Sequence, residues 1–228
     1  VVYTSVKGAK EALGASSPHA AALWPMVAVG EKKYYFSAMF AALTAYTDAN
    51  NADVPYESPS NKDLRLTATV LKDGTTVALD QQQANDVLNA NGVITAINAN
   101  GFKSWGNNTA AYPSTTDPKD RWWAVRRFFD WDGNNFIRTY FQKVDKPGNK
   151  RLIQSIVDSQ NIIGNGYVAR DYCAGYRVEF RSDENPVTNL LAGHLTTHTY
   201  MAPYIPAEYI ENGREYDVDA LESAIGGE

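Results

Sequence analysis

Two hydrophobic periods alternate along the chain and set out most of its elements. Leu64, Leu66, Ala68 and Val70 alternate with Arg65, Thr67 and Thr69. Lys72-Asp73-Gly74 then supplies a turn and residues 76–79 return, which predicts a β-hairpin. Tyr176, Val178 and Phe180 alternate with Arg177, Glu179 and Arg181, predicting a strand with one apolar face. Residues 195–202 carry three threonines and read as a second strand, and residues 211–218 as a third, weaker one. Short apolar runs at 26–29 and 93–97 suit buried strands. The 3.6-residue period predicts a helix over 37–48, with Phe40, Leu43 and Tyr46 at helical spacing. Asp80 and Gln83 form a capping-box signature for a helix reaching about Leu88, which Asn91-Gly92 ends. Residues 122–144 read as a helix weakened in the middle by Gly133 and Asn134. Residues 149–163 read as an amphipathic helix with Leu152, Ile153, Ile156, Val157 and Ile163 on one face. Residues 1–7 are expected as a short strand or arm, 8–24 as Ala-rich and partly helical, and 49–62 and 98–120 as loop-rich.

No internal repeat interrupts this order. The fold class it predicts is α+β: a mixed sheet flanked by helices, completed late in the sequence, with an extended C-terminal strand or arm. A terminal strand with no later partner in its own chain needs another chain to pair with.

Composition narrows the function. The 228 residues are 44% hydrophobic and 21% charged, as in a chain with a substantial core. The net charge of −5 excludes a basic nucleic-acid footprint over the whole chain. Positive charge is instead local, with Arg121, Arg126, Arg127, Arg138, Lys143, Lys146, Lys150 and Arg151 falling within 31 residues. That cluster fits three arrangements: a solvated helix face, inter-subunit ion pairs, or a docking strip for an acidic partner. Arg126 and Arg127 lie among Trp122, Trp123, Phe128 and Phe129, so at least one is expected to be half-buried and to need a carboxylate or carbonyl. The longest apolar run, residues 20–30, contains Pro25 and is too short to span a bilayer, for which about 20 residues are needed. The start lacks the basic-then-apolar pattern of a secretory leader. It is Val rather than Met, as expected of a processed form, a fragment or the sequenced part of something longer.

Candidate chemistry is weak throughout. His194 and His198 share a Thr-rich segment, and on a strand they lie about 13 Å apart, too far for one zinc ion. His19 has no evident partner. The single cysteine, Cys173, is expected to be a buried small residue. No Gly-x-Ser-x-Gly is present, and Gly164-Asn-Gly166 and Gly106-Asn-Asn lack the remainder of any phosphate-binding fingerprint. Asp130 with Asp132, and Asp183 with Glu184, read as solvated carboxylates. No catalytic residue, metal ligand or cofactor is assigned.

Three motifs carry a resemblance. They are the Arg-Arg-aromatic helix 123–129, the pairing of helix 150–163 with strand 176–180, and the closing Ala202-Pro203-x-x-Pro206-Ala207-Glu208-x-Ile210. Upstream, Pro55-Tyr-Glu-Ser-Pro-Ser-Asn61, Leu88-Asn-x-x-Gly92-Val-Ile94 and Gly101-Phe-x-x-Trp105-Gly106-Asn107-x-Thr109 follow in order. Together they resemble the contractile tail sheath proteins of myophages and prophages, from about residue 25 to the end. Family members are usually longer, with an N-terminal arm and often inserted outer domains. The resemblance implies three parts: 1–24 an N-terminal arm or remnant of a preceding domain, 25–118 a sheath core region, and 119–228 the family's C-terminal domain with its terminal arm. It implies a structural subunit, not an enzyme, that polymerises around an inner tail tube and contracts to drive that tube through the host envelope for DNA ejection.

In such sheaths, arms from neighbouring subunits add strands to a subunit's C-terminal sheet. Glu211, Arg214, Glu215, Tyr216 and Val218 are the candidates for the exchanged arm. Tyr176, Val178, Phe180, Leu195, Thr197 and Thr199 are the candidates for the accepting sheet. Arg126, Arg127, Lys146, Lys150 and Arg151 are the candidates for docking on the tube or a neighbour. The implied partners are further copies of the chain in hexameric-ring-type helices, the inner tube protein, the baseplate and the tail terminator, with no direct nucleic acid and no membrane insertion. The implied location is the virion tail, assembled in the bacterial host cytoplasm. The alternatives are the sheath of a phage-tail-like bacteriocin or other contractile injection system, a tail-associated glycan- or receptor-binding module suggested by the aromatic and Asn-rich loops, and an enzyme using Cys173 or gathered carboxylates.

Overall fold

The computed structural model describes residues 2–226. A 3-10 turn over Tyr3–Ser5 leads into helix α1 (Val6–Ala12), so the first residues are helical rather than a strand or arm. Their β-branched composition is overridden by tertiary contacts. Val6 is buried against Leu88 and Val93, and Lys10 Nζ donates to the carbonyls of Asn91 at 2.7 Å and Tyr112 at 2.5 Å.

Strands β1 (Ala22–Leu23), β2 (Met26–Val29) and β3 (Lys32–Tyr34) then precede helix α2 (Phe36–Asn50). Helix α2 buries Phe36 and Phe40 against Val27, Leu64, Ile94 and Ala96, which makes one apolar core. Strands β4 (Asp63–Leu64) and β5 (Ala68–Val70) lie where one hairpin strand was expected. The alternation runs through 64–70, but the chain changes sheets at Leu66: β4 pairs with a later strand and β5 with β2. A short return remains, with Val77 N–H donating to the Thr69 carbonyl and a bridge between Val70 and Thr76.

Asp80 caps α3 (Gln81–Gln83) with both halves of the capping box in place. The helix continues as a π-turn over Ala84–Leu88 and a 3-10 turn over Asn89–Asn91. Gly92 then ends it at a left-handed φ of 65°, where a side chain would run into the Tyr112 carbonyl. Strand β6 (Val93–Asn98) is buried at its first five positions, and β7 (Phe102–Trp105) returns antiparallel to it in a stretch expected to be loop. The resulting sheets are β1-β6-β7-β4 and β3-β2-β5.

Helices α4 (Pro118–Arg121) and α5 (Trp123–Tyr140) follow, then a 3-10 turn over Phe141–Lys143 and helix α6 (Lys150–Ala169), capped by the Asn149 side chain. Gly133, Gly164 and Gly166 are carried within these helices. Strand β8 (Cys173–Glu179) packs on α6, and Phe128, Tyr167, Cys173, Tyr176 and Val178 form a second core with Val54. Helix α7 (Val187–Leu191) crosses to β9 (His198–Pro203), which pairs antiparallel with β8 as a separate two-stranded sheet. The chain then runs without regular structure over 204–217 and ends in helix α8 (Val218–Ile225).

Candidate assembly interface

The two-stranded sheet is positioned by α6. Gly164 lets the Tyr176 ring lie directly on the helix, since any Cβ at 164 would enter that ring. One residue type then fixes the strand from the side. Asn161 Nδ2 donates to the Val178 carbonyl at 2.9 Å and the Val178 N–H donates to Asn161 Oδ1 at 2.9 Å. The outer edge of β8 is therefore closed at Val178 by a side chain. The outer edge of β9 has no strand beside it among the described residues.

The expected accepting residues divide accordingly. Tyr176 and Val178 lie in β8 facing the core, and Thr199 lies in β9 opposite Val178. Phe180 falls just after β8, and Leu195 and Thr197 fall before β9 rather than in it. The reason is Asn185, which is 5% exposed. Its amide donates to the Arg181 and Thr196 carbonyls and its oxygen accepts from the Thr196 N–H, so the backbone there is satisfied by a side chain instead of a ladder. Over the solvent face, Arg177 covers the Tyr200 ring and pairs with Glu179, while Arg181 Nη1 donates to the Tyr200 hydroxyl.

The arm candidates are not a strand in this chain. Glu211, Arg214, Glu215 and Tyr216 lie exposed in the irregular segment. Val218 is instead the first residue of α8, because the Asp217 carboxylate accepts the Ala220 N–H at 2.9 Å and caps a helix there. Upstream, the closing motif is tied to the core through Glu208. Asn107 Nδ2 donates to Glu208 Oε1 at 3.1 Å, and Arg121 Nη2 lies 3.6 Å from Oε2. The Arg121 guanidinium is held flat over Tyr112 and Trp122, at 4.4 and 4.1 Å from the ring centres, and its Nε donates to Asn108. Glu208 thus closes over a cleft of about 400 Å³ lined by Asn61, Asn85, Trp105 and Tyr112.

The docking candidates fall into two groups. Arg126 pairs with Asp120 at 3.0 Å and Asp130 at 2.6 Å, and Arg127 forms a bidentate pair with Asp48 on α2. Both guanidiniums are thus engaged within the chain, binding α5 to its surroundings. Lys146, Lys150 and Arg151 are exposed.

Four polar residues were misread or missed. Asp132 is 3% exposed, not solvated: the Tyr176 hydroxyl donates to its carboxylate at 3.0 Å, and Gln160 Nε2 donates to that hydroxyl at 2.6 Å. Burial pushes its pKa up to about 6, although the Tyr176 bond opposes the shift. The spacing Ala124, Phe128, Asp132 places it on the buried face of α5, a signal present in the sequence. Asp130, its neighbour in sequence, pairs with Arg126 and also with His19, at 2.9 Å from Nδ1. Asn161 and Asn185 have no sequence signal, because each bonds backbone groups of a later segment, at Val178 and Thr196 respectively. Among the described residues, no group of three or more His, Cys, Asp and Glu is placed to hold a metal, and no helix is long and apolar enough to cross a membrane. His198 pairs with Glu184 at 2.8 Å, while His194 lies outside β9.

This α+β fold, with its helix-backed two-stranded sheet, is shared with solved contractile sheath structures. The sheath of the extracellular contractile injection system PVC, in its contracted state, superposes with a TM-score of 0.80 at 18% identity, over 96% of this chain and 62% of that one. The contracted helical sheath of the anti-feeding prophage gives 0.72 at 21% identity, over 89% of this chain and 57% of that one. In sequence the chain is related to phage tail sheath proteins. It is 32% identical over 152 residues to the tail sheath protein of Burkholderia phage BcepMu, covering 65% of this chain and 31% of the relative. It is 30% identical over 128 residues to that of Escherichia phage P2, covering 54% and 30%. The chain thus spans about a third of the length of these curated relatives. No family model matches it.

Proposed function

We propose that this chain is the assembly-competent part of a contractile tail sheath subunit, which polymerises with its own copies around an inner tail tube. The observation that carries this is the presence of both an open edge on β9 and an exposed, irregular segment at 209–217 in the same polypeptide. An added strand would supply main-chain hydrogen bonds to that open edge whatever its side chains. An exposed segment containing Glu211, Arg214, Glu215 and Tyr216 can supply that strand to a neighbour, while Glu208 fixes where it leaves its own core. Such links hold subunits together as they rotate, so a lattice can shorten and widen without falling apart.

Residues 25–118 serve as the core and 119–228 as the exchanging domain, with 1–24 bracing the core through Val6 and Lys10. Lys146, Lys150 and Arg151 supply exposed positive charge for an acidic tube or neighbour. The sheath works in a virion tail, between baseplate and terminator. The two phage relatives favour a phage sheath over a bacteriocin-like one, and the two injection-system folds keep the latter as the second reading. The assembly role needs no catalytic residue and no cofactor.

Negative-stain microscopy of the purified protein tests the reading. Wide-bore tubes or rings are expected, and removal of residues 211–228 abolishes them while circular dichroism shows the core still folded. Discrete monomers from the intact protein, or unchanged tubes after the deletion, would count against strand exchange.

A further inference from the structure

Two exposed surfaces of this chain are complementary in both apolarity and charge. Helix α8 has no buried residue, and Val218, Leu221 and Ile225 are 55%, 40% and 74% exposed. Their spacing of three and four residues puts them on one helix face. Acidic groups flank that face: Glu215, Asp217, Asp219 and Glu222, with Glu211 further back. At the end of α5 the pattern is inverted. Ile137 on α5, Phe141 in the 3-10 turn that follows and Val144 just past that turn are 62%, 73% and 64% exposed. Arg138 and Lys143 lie between them and Lys146 just after, all exposed, with Asp145 the one acidic residue among them, and Lys150 and Arg151 follow. The fold holds this stripe outward. The Tyr140 hydroxyl turns in to meet the Ser159 hydroxyl at 2.7 Å and the Ile156 carbonyl, so the end of α5 packs on α6 through Tyr140 and leaves Ile137 and Phe141 uncovered.

We infer that α8 of one copy docks its Val218–Leu221–Ile225 face on the Ile137–Phe141–Val144 stripe of a second copy, with Asp219 and Glu222 facing Lys143 and Lys146. The inference rests on the self-assembly reading above and specifies which surfaces meet. The occupant is a second copy because the chain carries both halves, matched in sign. An apolar face of three residues ringed by charge binds weakly alone, and the charged rim sets partner choice and encounter rate. The two patches are different parts of the surface, so the contact is heterologous. Each copy gives one helix and receives another, and the contact propagates into a ring or helix in which weak contacts add.

Charge exchange on the intact chain tests this, read by sedimentation velocity at low salt. The unaltered chain is expected to self-associate in a concentration-dependent way that salt weakens. Lys143→Glu with Lys146→Glu, or Asp219→Lys with Glu222→Lys, is expected to weaken association by about tenfold or more, corresponding to about 1.4 kcal/mol. All four positions are exposed, so the melting temperature stays within a few degrees. Mixing the two variants is expected to restore association, because the acidic stripe of one then meets the basic helix of the other. Phe141→Ser weakens association without any change in charge. Association unaffected by either reversal, as expected if the basic stripe serves an acidic tube instead, overturns the docking; so does a mixture that associates no better than its components, or a chain that stays monomeric. Strand exchange is read separately by Arg214→Pro, which removes a backbone donor from the arm and leaves α8 intact. Loss of tubes in that variant, with association indifferent to the charge reversals, leaves the sheath reading standing and removes only the docking.

Discussion

Asp132 sits under Tyr176 and Gln160 with almost no access to water, which penalises its ionised form. Its folded pKa of about 6 lies above the ordinary value of 3.8, so the folded state binds a proton more tightly than the unfolded chain does. The sign follows: ionised Asp132 destabilises the fold above pH 6, and that penalty fades as pH falls from about 6 toward 3.8. Its size is on the order of 3 kcal/mol. Asp132→Asn is therefore expected to raise stability at pH 7.5 and to flatten the pH dependence between pH 4 and 6, as read by urea unfolding at several pH values. A variant less stable than the parent at pH 7.5 would show that the Tyr176 bond to the carboxylate outweighs its desolvation. The spacing of Asp132 from Phe128 was visible in the sequence. What was not visible is that Tyr176, 44 residues later, would close over it.

Helix α6 and strand β8 meet through a contact that glycine alone allows. A Cβ on Gly164 would occupy the Tyr176 ring, and the aromatic contacts of Tyr176 with Tyr167 would shift with it. Gly164→Ala gains up to about 1 kcal/mol of helix propensity. Overpacking of this kind costs about 1–3 kcal/mol. The net expectation is a less stable protein, seen as a lower thermal midpoint, whereas the same change at the uncrowded Gly166 should be neutral or stabilising. Most helices were legible because their apolar positions repeat: α2, α5, α6 and the capping box at Asp80 lie where the pattern put them. The ends and partners of strands were less so. Strand β7 has only four residues, and its alternation is too short to stand out from the loop around it. Residues 64–70 alternate faithfully yet serve two sheets, since alternation reports a face and not a partner.

The segment after β9 is tied to the core at Glu208. Glu208 joins it to Asn107 and Arg121, while everything from Tyr209 to Gly226 is exposed. A partly exposed ion pair of this kind contributes about 0–1 kcal/mol, so Glu208→Gln should barely move global stability. It should instead free the segment that follows β9. Limited proteolysis is expected to cut within 204–217 faster in the variant, at an unchanged melting temperature. Equal cleavage rates would show that Pro203 and Pro206, rather than Glu208, set the path of the tail.

Taken by itself, the sequence determined the α+β class, the main helices and the apolar face of β8. These depend on local periodicity and on proline, glycine and capping residues, whose preferences act over a few positions. Tertiary structure alone decided that residues 3–12 are helical, that Arg127 is held by Asp48, and that Tyr176 closes over Asp132. It also decided that 211–217 stays unpaired ahead of a helix. Most of these depend on groups far apart in sequence, and no local pattern encodes which backbone edge, charge or apolar stripe finds a partner within the chain.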